Sequence, residues 1–231
     1  MSTSKIDTLH GINPFDRLKY VFDYLNDDNY SFIIVTGDVS NSGDVESYHQ
    51  FLEISKTISC KIIVIPGNHD NKENIKIFNN YENILLIEDG MNFEIDGWSF
   101  FHLNTIIDGK HHGRIKESDI EGFNKYKNSI DKFYNICIIM HHNPLAIGNL
   151  TDKYKIENFQ DISHLFCGNV KLVIYGHVHN DHSFNEKGVI YTSCPSSSFQ
   201  TRKMSIDTSV YGLKEYKLCG ESVFLNSFLF T

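Results

Sequence analysis

Apolar residues return along this chain in two alternating rhythms. Between Asn13 and Leu25 they fall at Phe15, Leu18, Phe22 and Leu25, the spacing of one helix face, and Asn13-Pro14 supplies an N-cap side chain and a ring suited to the first turn. Ser31 to Thr36 is then a short β-branched run ending at Gly37-Asp38, and Asp44 to Ser55 returns to helical spacing with Tyr48, Phe51 and Leu52 inward. Lys61 to Ile65 reads as the next buried strand, stopped by Pro66-Gly67. Buried strands alternating with helices predict βαβ units, right-handed crossovers and parallel pairing. Ile84 to Ile87 adds a strand, Asn92 to Asn104 a hairpin turning at Asp96-Gly97, and Glu117 to Asp131 an amphipathic helix. Two further buried runs, Ile136 to Met140 and Val170 to Tyr175, enclose a helix over Glu157 to Phe166. From Ser183 onward turns and strands dominate, with a hairpin about Asn185 to Gly188. The pattern is α/β with antiparallel strands towards the C-terminus, and with no linker, repeat or low-complexity tract it predicts one domain over residues 1–231.

Composition narrows the class. A chain of 231 residues, 41% apolar and 22% charged, can bury a large core, which excludes disordered, collagenous and disulfide-scaffold proteins. Ile62 to Ile65, Ile136 to Met140 and Leu172 to Tyr175 are far shorter than the roughly 20 residues a bilayer demands, so no membrane partner is expected. Met1 to Asp7 lacks the apolar centre of a secretory signal, which points to the cytoplasm. Cys60, Cys137, Cys167, Cys194 and Cys219 contain no C-x-x-C and read as reduced thiols, mostly packed. A net charge of −8 repels polyanions and argues against a nucleic-acid face, so a phosphate substrate would need locally bound cations.

The chemistry gathers at four predicted strand ends: Gly37-Asp38, Gly67-Asn68-His69-Asp70, His141-His142-Asn143-Pro144 and Gly176-His177-Val178-His179. Taken singly, Gly37-Asp38 is a turn and His141-His142 a solvated loop. Jointly they place carboxylate, amide and imidazole groups on the edge where α/β proteins build sites. In extended backbone His177 and His179 project from the same side, and the glycines before Asp38, Asn68 and His177 permit sharp turns. Such a mixed donor set suits Mn, Fe, Zn or Ni better than Ca or Mg.

The order and content of these clusters resemble the calcineurin-like metallophosphoesterases, and most closely the bacterial class III cyclic-nucleotide phosphodiesterase branch. The likeness covers about residues 10–200, with 201–231 left as C-terminal strands, and rests on V-T-G-D-V-S, V-I-P-G-N-H-D, M-H-H-N-P and Y-G-H-V-H, supported by Gly43 to Tyr48 and Thr192 to Gln200. It implies an αββα sandwich of two sheets between helices. It makes Asp38 a carboxylate bridging two metal ions, with Asn68, His141 and His177 completing one site, His179 belonging to the other and His142 the lesser candidate. His69 would contact the phosphoryl group and assist the leaving oxygen, and Asp70 would orient His69. The implied reaction is attack of a metal-bound hydroxide on a cyclic nucleotide or similar small phosphodiester.

One motif of the family has no counterpart. Its D-x-H, at the end of a first strand, should supply two ligands to the site containing His179; here Asp7-Thr8-Leu9-His10 is D-x-x-H, and positions i and i+3 of a strand face opposite ways. Because His10-Gly11-Ile12-Asn13 resembles the stretch that follows D-x-H by a loop, the strand is expected upstream of Met1. A late start, a truncated product or a divergent member managing with one metal or a makeshift second site would each account for this. The expectations are one tightly held ion where the family has two, and sheet edges that invite homodimerisation. The alternative function is an impaired or inactive remnant that keeps the fold and one metal site. Arg114, in His111-His112-Gly113-Arg114, and His102 read as surface-loop and core residues. The aromatics Tyr211, Tyr216, Phe224, Phe228 and Phe230 are expected to pack on the domain or on a second subunit.

Overall fold

The computed structural model describes residue 1, residues 8–26 and residues 30–231. Two sheets carry the architecture. The first holds β1 (Phe32–Val35), β2 (Lys61–Val64) and β3 (Ile84–Leu86), parallel and in that order, with Ile33 opposite Ile62 and Ile62 opposite Ile84. The second holds β4 (Asn92–Ile95), β5 (Trp98–His102), β6 (Asn135–Met140), β7 (Val170–Tyr175), β8 (His182–Glu186) and β9 (Val189–Ser193), in the spatial order β4-β5-β6-β7-β9-β8. Its inner strands are parallel, and its two edge strands pair antiparallel.

Consecutive apolar residues in a strand divide between two faces, and here each face finds a layer. Ile63 and Ile65 meet Trp98, Phe100, Cys137, Ile139, Leu172 and Ile174 between the sheets. Ile62 and Val64 face the other way, onto Phe22 of α1 (Pro14–Leu25) and Phe51 and Leu52 of α2 (Val45–Ser55). Beyond the second sheet, Ile136, Ile138, Met140 and Val173 pack on Phe123 of α3 (Glu117–Ser129) and Phe159 of α4 (Phe159–Ile162). The result is the expected αββα sandwich.

Local chemistry fixes the ends of these elements. Asn13 Oδ1 accepts from the Phe15 amide at 2.9 Å ahead of Pro14, and Asp44 Oδ1 accepts from the Ser47 amide at 2.8 Å. The β4–β5 turn places Asp96 at φ 49 and Gly97 at φ 79, and the β8–β9 turn places Lys187 at φ 52 and Gly188 at φ 84. Two successive positive φ values match the right-handed twist of a hairpin.

The helix expected over Glu157 to Phe166 is much shorter: α4 is followed only by a 3₁₀ turn at Ser163–Leu165. Its first residues are held elsewhere. The Ile156 amide donates to the Asn143 carbonyl and the Glu157 amide to the Gly113 carbonyl, while the Asn158 side chain bonds the Ile115 amide and carbonyl.

Two short strands, β10 (Gln200–Thr201) and β11 (Ile206–Asp207), precede a long hairpin of β12 (Tyr211–Cys219) and β13 (Ser222–Phe230). Tyr211, Phe228 and Phe230 join the α1 side of the core and Tyr216 the space between the sheets, whereas Phe224 is 58% exposed. Among the described residues β1 pairs only with β2, and β12 only with β13. A cavity of about 600 Å³ lies between these edges, lined by Phe32 to Val35, by Gly212 to Tyr216, and by Leu172 and Ile174. This is why β1, so apolar in sequence, is only half-buried along its length. All five cysteines are free, but Cys167 and Cys219 are exposed, because one follows the last 3₁₀ turn and the other ends β12. Among the described residues no helix is long and apolar enough to cross a membrane.

Candidate functional site

The four polar clusters follow β1, β2, β6 and β7, so two come from each sheet, and they meet where the C-terminal ends of the parallel strands share an edge. Asp38 Oδ2 lies 3.3 Å from His141 Nε2, Asn68 Oδ1 lies 3.0 Å from the same nitrogen, and Asn68 Oδ1 lies 3.1 Å from His177 Nδ1. Close approach of the two first-sheet loops makes this possible: a Cβ on Gly67 would sit 2.1 Å from Asp38 Oδ1.

The histidines of Gly176-His177-Val178-His179 do not lie in extended backbone. β7 ends at Tyr175, and His177 at φ 63 and His179 at φ 43 are both left-handed, as is Asp38 at φ 57. Alternate strand positions therefore do not bring the two rings together. Two left-handed residues flank Val178 instead, both line the cavity they share with Asp38, and Asp and His are among the side chains that tolerate this conformation.

His141 is fully buried and its Nδ1 donates to the Thr36 carbonyl at 2.7 Å, which leaves Nε2 facing Asp38 and Asn68. Burial, the largest single influence, lowers its pKa, but the Asp38 charge and hydrogen bond, the Thr36 carbonyl and the Asp70 charge together raise it. Burial would raise Asp38, yet the His141 imidazole and then His69, through its charge and its amide, hold its carboxyl well below the usual range. Burial, then His141 and His142, push His177 far down, and burial takes His179 to about 4. His177 Nε2 and His179 Nδ1 are buried without a hydrogen-bond partner. The ring of His179 rests 4.7 Å from that of Phe199, whose other neighbour is His10 at 4.9 Å, and His179 lines the same cavity as Asp38, His69 and His177.

A divalent transition metal fits this donor set. Ligands at about 2.1 Å in neighbouring positions of an octahedral shell stand about 3 Å apart, close to the spacings among Asp38, Asn68, His141 and His177. Depressed imidazole pKa values also keep nitrogen lone pairs available, as ligation requires. His142 is geometrically close, since it forms with His141 and His177 a group whose ligand atoms all lie within 4.8 Å. Its nitrogens are engaged elsewhere: Nδ1 accepts from the Thr105 hydroxyl at 2.8 Å, and Nε2 donates to the His111 carbonyl at 3.0 Å. Asp7 lies outside the described residues. His10 is exposed at φ 55.

His69 is exposed, with its amide donating to Asp38 Oδ1 at 2.9 Å and its Nδ1 at 2.9 Å from the Asn41 carbonyl. The expected pairing of Asp70 with His69 is not what the structure builds. Asp70 accepts from the amides of Gly67 at 2.9 Å, Ser40 at 3.0 Å and Val39 at 3.3 Å, and from the Tyr48 hydroxyl at 3.1 Å. It binds the loop after β1 to the loop after β2, and the Asn41 carbonyl orients the His69 ring. Burial, and then the neighbouring Asp38 charge, raise the Asp70 pKa.

Arg114 pairs with Glu157 at 3.8 Å in an exposed loop, and buried His102 has Nδ1 3.1 Å from the Glu88 carbonyl, as their surface and core readings anticipate. Three groups beside the site are not among the expected site residues: the Asn41 carbonyl, His111, which reads from sequence as part of a surface loop, and Tyr154, whose ring lies 6.4 Å from that of His177.

Comparison with known proteins agrees with this geometry. The family model described as calcineurin-like phosphoesterase matches residues 9–181. A Coxiella burnetii protein named "Probable cyclic nucleotide phosphodiesterase" is 35% identical over 206 residues, covering 85% of this chain and 81% of its own. The 3′,5′-cyclic adenosine monophosphate phosphodiesterase of Haemophilus influenzae is 23% identical, over 91% of this chain and 79% of its own. Among solved structures, the GAP50 anchor of the Plasmodium inner membrane complex superposes with a TM-score of 0.58 at 12% identity, over 90% of this chain and 76% of its own, and so bears on fold alone. Asp38, Asn68, His141, His177 and His179 all fall inside the matched segment, and the chain belongs to the calcineurin-like phosphoesterase family of hydrolytic enzymes.

Proposed function

We propose that this protein is a metal-dependent phosphodiesterase acting on a cyclic nucleotide or similar small phosphodiester. The observation that carries the reading is the convergence of Asp38, Asn68, His141 and His177 donor atoms at 3.0–3.3 Å spacing, a cluster of lone pairs that calls for a cation. Those four residues would hold one ion, and Asp38 and His179 would face a second position. Bound there, divalent ions supply the Lewis acidity that stabilises charge developing on phosphoryl oxygens.

The protein's own groups do the remainder. His69 stands at the mouth of the site with Nδ1–H directed at the Asn41 carbonyl, so Nε2 is the nitrogen that takes up and releases a proton. Protonated, it donates to the departing oxygen. Asp70 keeps the loops of Asp38 and Asn68 in register. The net charge of −8 would repel a phosphodiester, and metal charge at the centre reverses the local field.

The test is hydrolysis of adenosine 3′,5′-cyclic monophosphate and of a chromogenic phosphodiester with added Mn²⁺. Activity should vanish with chelator and in Asn68→Ala, whose circular dichroism should match the parent. Undiminished turnover in Asn68→Ala would overturn the assignment.

A further inference from the structure

The rim of the centre carries two rings that belong to none of its motifs. His111 lies 6.0 Å, centroid to centroid, from His69; Tyr154 lies 5.4 Å from His111 and 6.4 Å from His177. The two rings thus form an arc from the group at the mouth of the site to one of the deep imidazoles. His111 is exposed and Tyr154 half-buried, so neither is consumed by the core.

The arc is held from behind. Buried His142, fixed by the Thr105 hydroxyl, donates from Nε2 to the His111 carbonyl at 3.0 Å. The Gly113 amide reaches the carbonyls of Tyr154 and Lys155, both at 3.3 Å, so the loop of His111 and the turn of Tyr154 move as one piece. A Cβ on Gly113 would lie 2.7 Å from His142 Cγ, so this packing needs glycine. The Lys153 ammonium sits 4.7 Å from the centroid of the Tyr154 ring and adds a positive charge beside it.

From this geometry we infer that His111 and Tyr154 are specificity-determining residues, forming a wall on which the nucleobase of a cyclic nucleotide stacks while its phosphodiester sits at Asp38, Asn68 and His69. The inference rests on the phosphodiesterase reading of the same centre. Flat rings accept any base through its π-face, so the wall selects for the presence of a base far more than for which base it is. It also gives buried His142 a function: it positions His111 and binds no metal.

The experiment uses the full chain loaded with Mn²⁺ and two substrates, adenosine 3′,5′-cyclic monophosphate and the ribose 3′,5′-cyclic phosphate that lacks a base. Their kcat/KM ratio measures what the base contributes. His111→Ala and Tyr154→Ala should each lower that ratio about tenfold, through KM for the nucleotide, and His111→Trp should restore it. An equal loss on both substrates would mean that the rings act at the phosphoryl group or in folding, and would overturn the proposal, as would a ratio unchanged in both variants. If the parent hydrolyses the base-free ester with no preference for the nucleotide, the wall is refuted while the phosphodiesterase reading stands. Hydrolysis of neither substrate would remove both.

Discussion

Asp38, His177 and His179 are held at φ 57, 63 and 43, a conformation that costs a side-chain-bearing residue of order 1–3 kcal/mol. The surroundings sustain it, since Asp38 is fixed by the His69 amide and His177 by Asn68. Residues placed at such cost are those whose direction matters, and two variants separate their roles. His69→Ala should lower turnover by roughly 10²–10⁴-fold and leave metal content nearly unchanged, because His69 is assigned to the proton and not to the ion. His177→Ala should lower both, as read by metal analysis of dialysed protein alongside kinetics; metal loss in the His69 variant would contradict the assignment. Asp70→Ala tests the brace between loops. Losing a buried acceptor of the Val39, Ser40 and Gly67 amides should destabilise the fold by about 2–4 kcal/mol, seen as a lower urea midpoint.

Helix α2 begins where Asp44 collects the Ser47 amide and the hydroxyls of Ser40, Ser42 and Ser47. Burial opposes its ionisation, but these bonds, the Ser42 hydroxyl foremost, take its pKa from 3.8 down to about 2. A carboxyl depressed in the folded state contributes stability that is fully present above its unfolded pKa and is lost as pH falls through its folded one. Asp44→Ala should therefore cost about 1 kcal/mol at pH 6, and the difference from the parent should shrink between pH 4 and pH 2. Denaturant midpoints across that window check it; a constant difference would show that the charge plays no part. At the strand level, β1 contrasts with β6, which is paired on both sides and wholly buried. The β1 amides not bonded to β2 look into the cavity of about 600 Å³ and should exchange hydrogen much faster than those of β6.

For the whole molecule, the decisive arrangement is that two sheets stack with the C-terminal ends of their parallel strands at one edge, so loops from each sheet share a centre that neither could form alone. Asp38 and Asn68 come from one sheet, and His141 and His177 from the other. Four convergent donors on one side, against Asp38 and His179 on the other, predict one tightly held metal equivalent per chain after dialysis. Two equivalents, measured by elemental analysis, would show that a further group completes the second position. Because binding joins the sheets, added Mn²⁺ should also raise the unfolding temperature.

Much of this was decided locally and could be read without a structure. Asp96-Gly97 must turn because its neighbours pair at that register, apolar runs such as Ile136 to Met140 must be buried on both faces, and Asn13-Pro14 and Asp44 open helices through bonds to their own next residues. The same holds for the ligand-type clusters, since each is contiguous and ends a strand. Tertiary structure decided whatever depends on a partner far along the chain. Asp70 looks like a companion of His69 until Val39 and Ser40, about thirty residues earlier, take its oxygens. His142 reads as the lesser candidate ligand, and Thr105 and His111 are what occupy both its nitrogens, while a helical pattern over Glu157 to Phe166 yields to contacts with Gly113, Ile115 and Asn143. Periodicity and turn chemistry are set by neighbours, so the sequence carries them. Hydrogen-bond allegiance between distant segments is settled only when the sheets stack, because most buried donors and acceptors must then find partners at once.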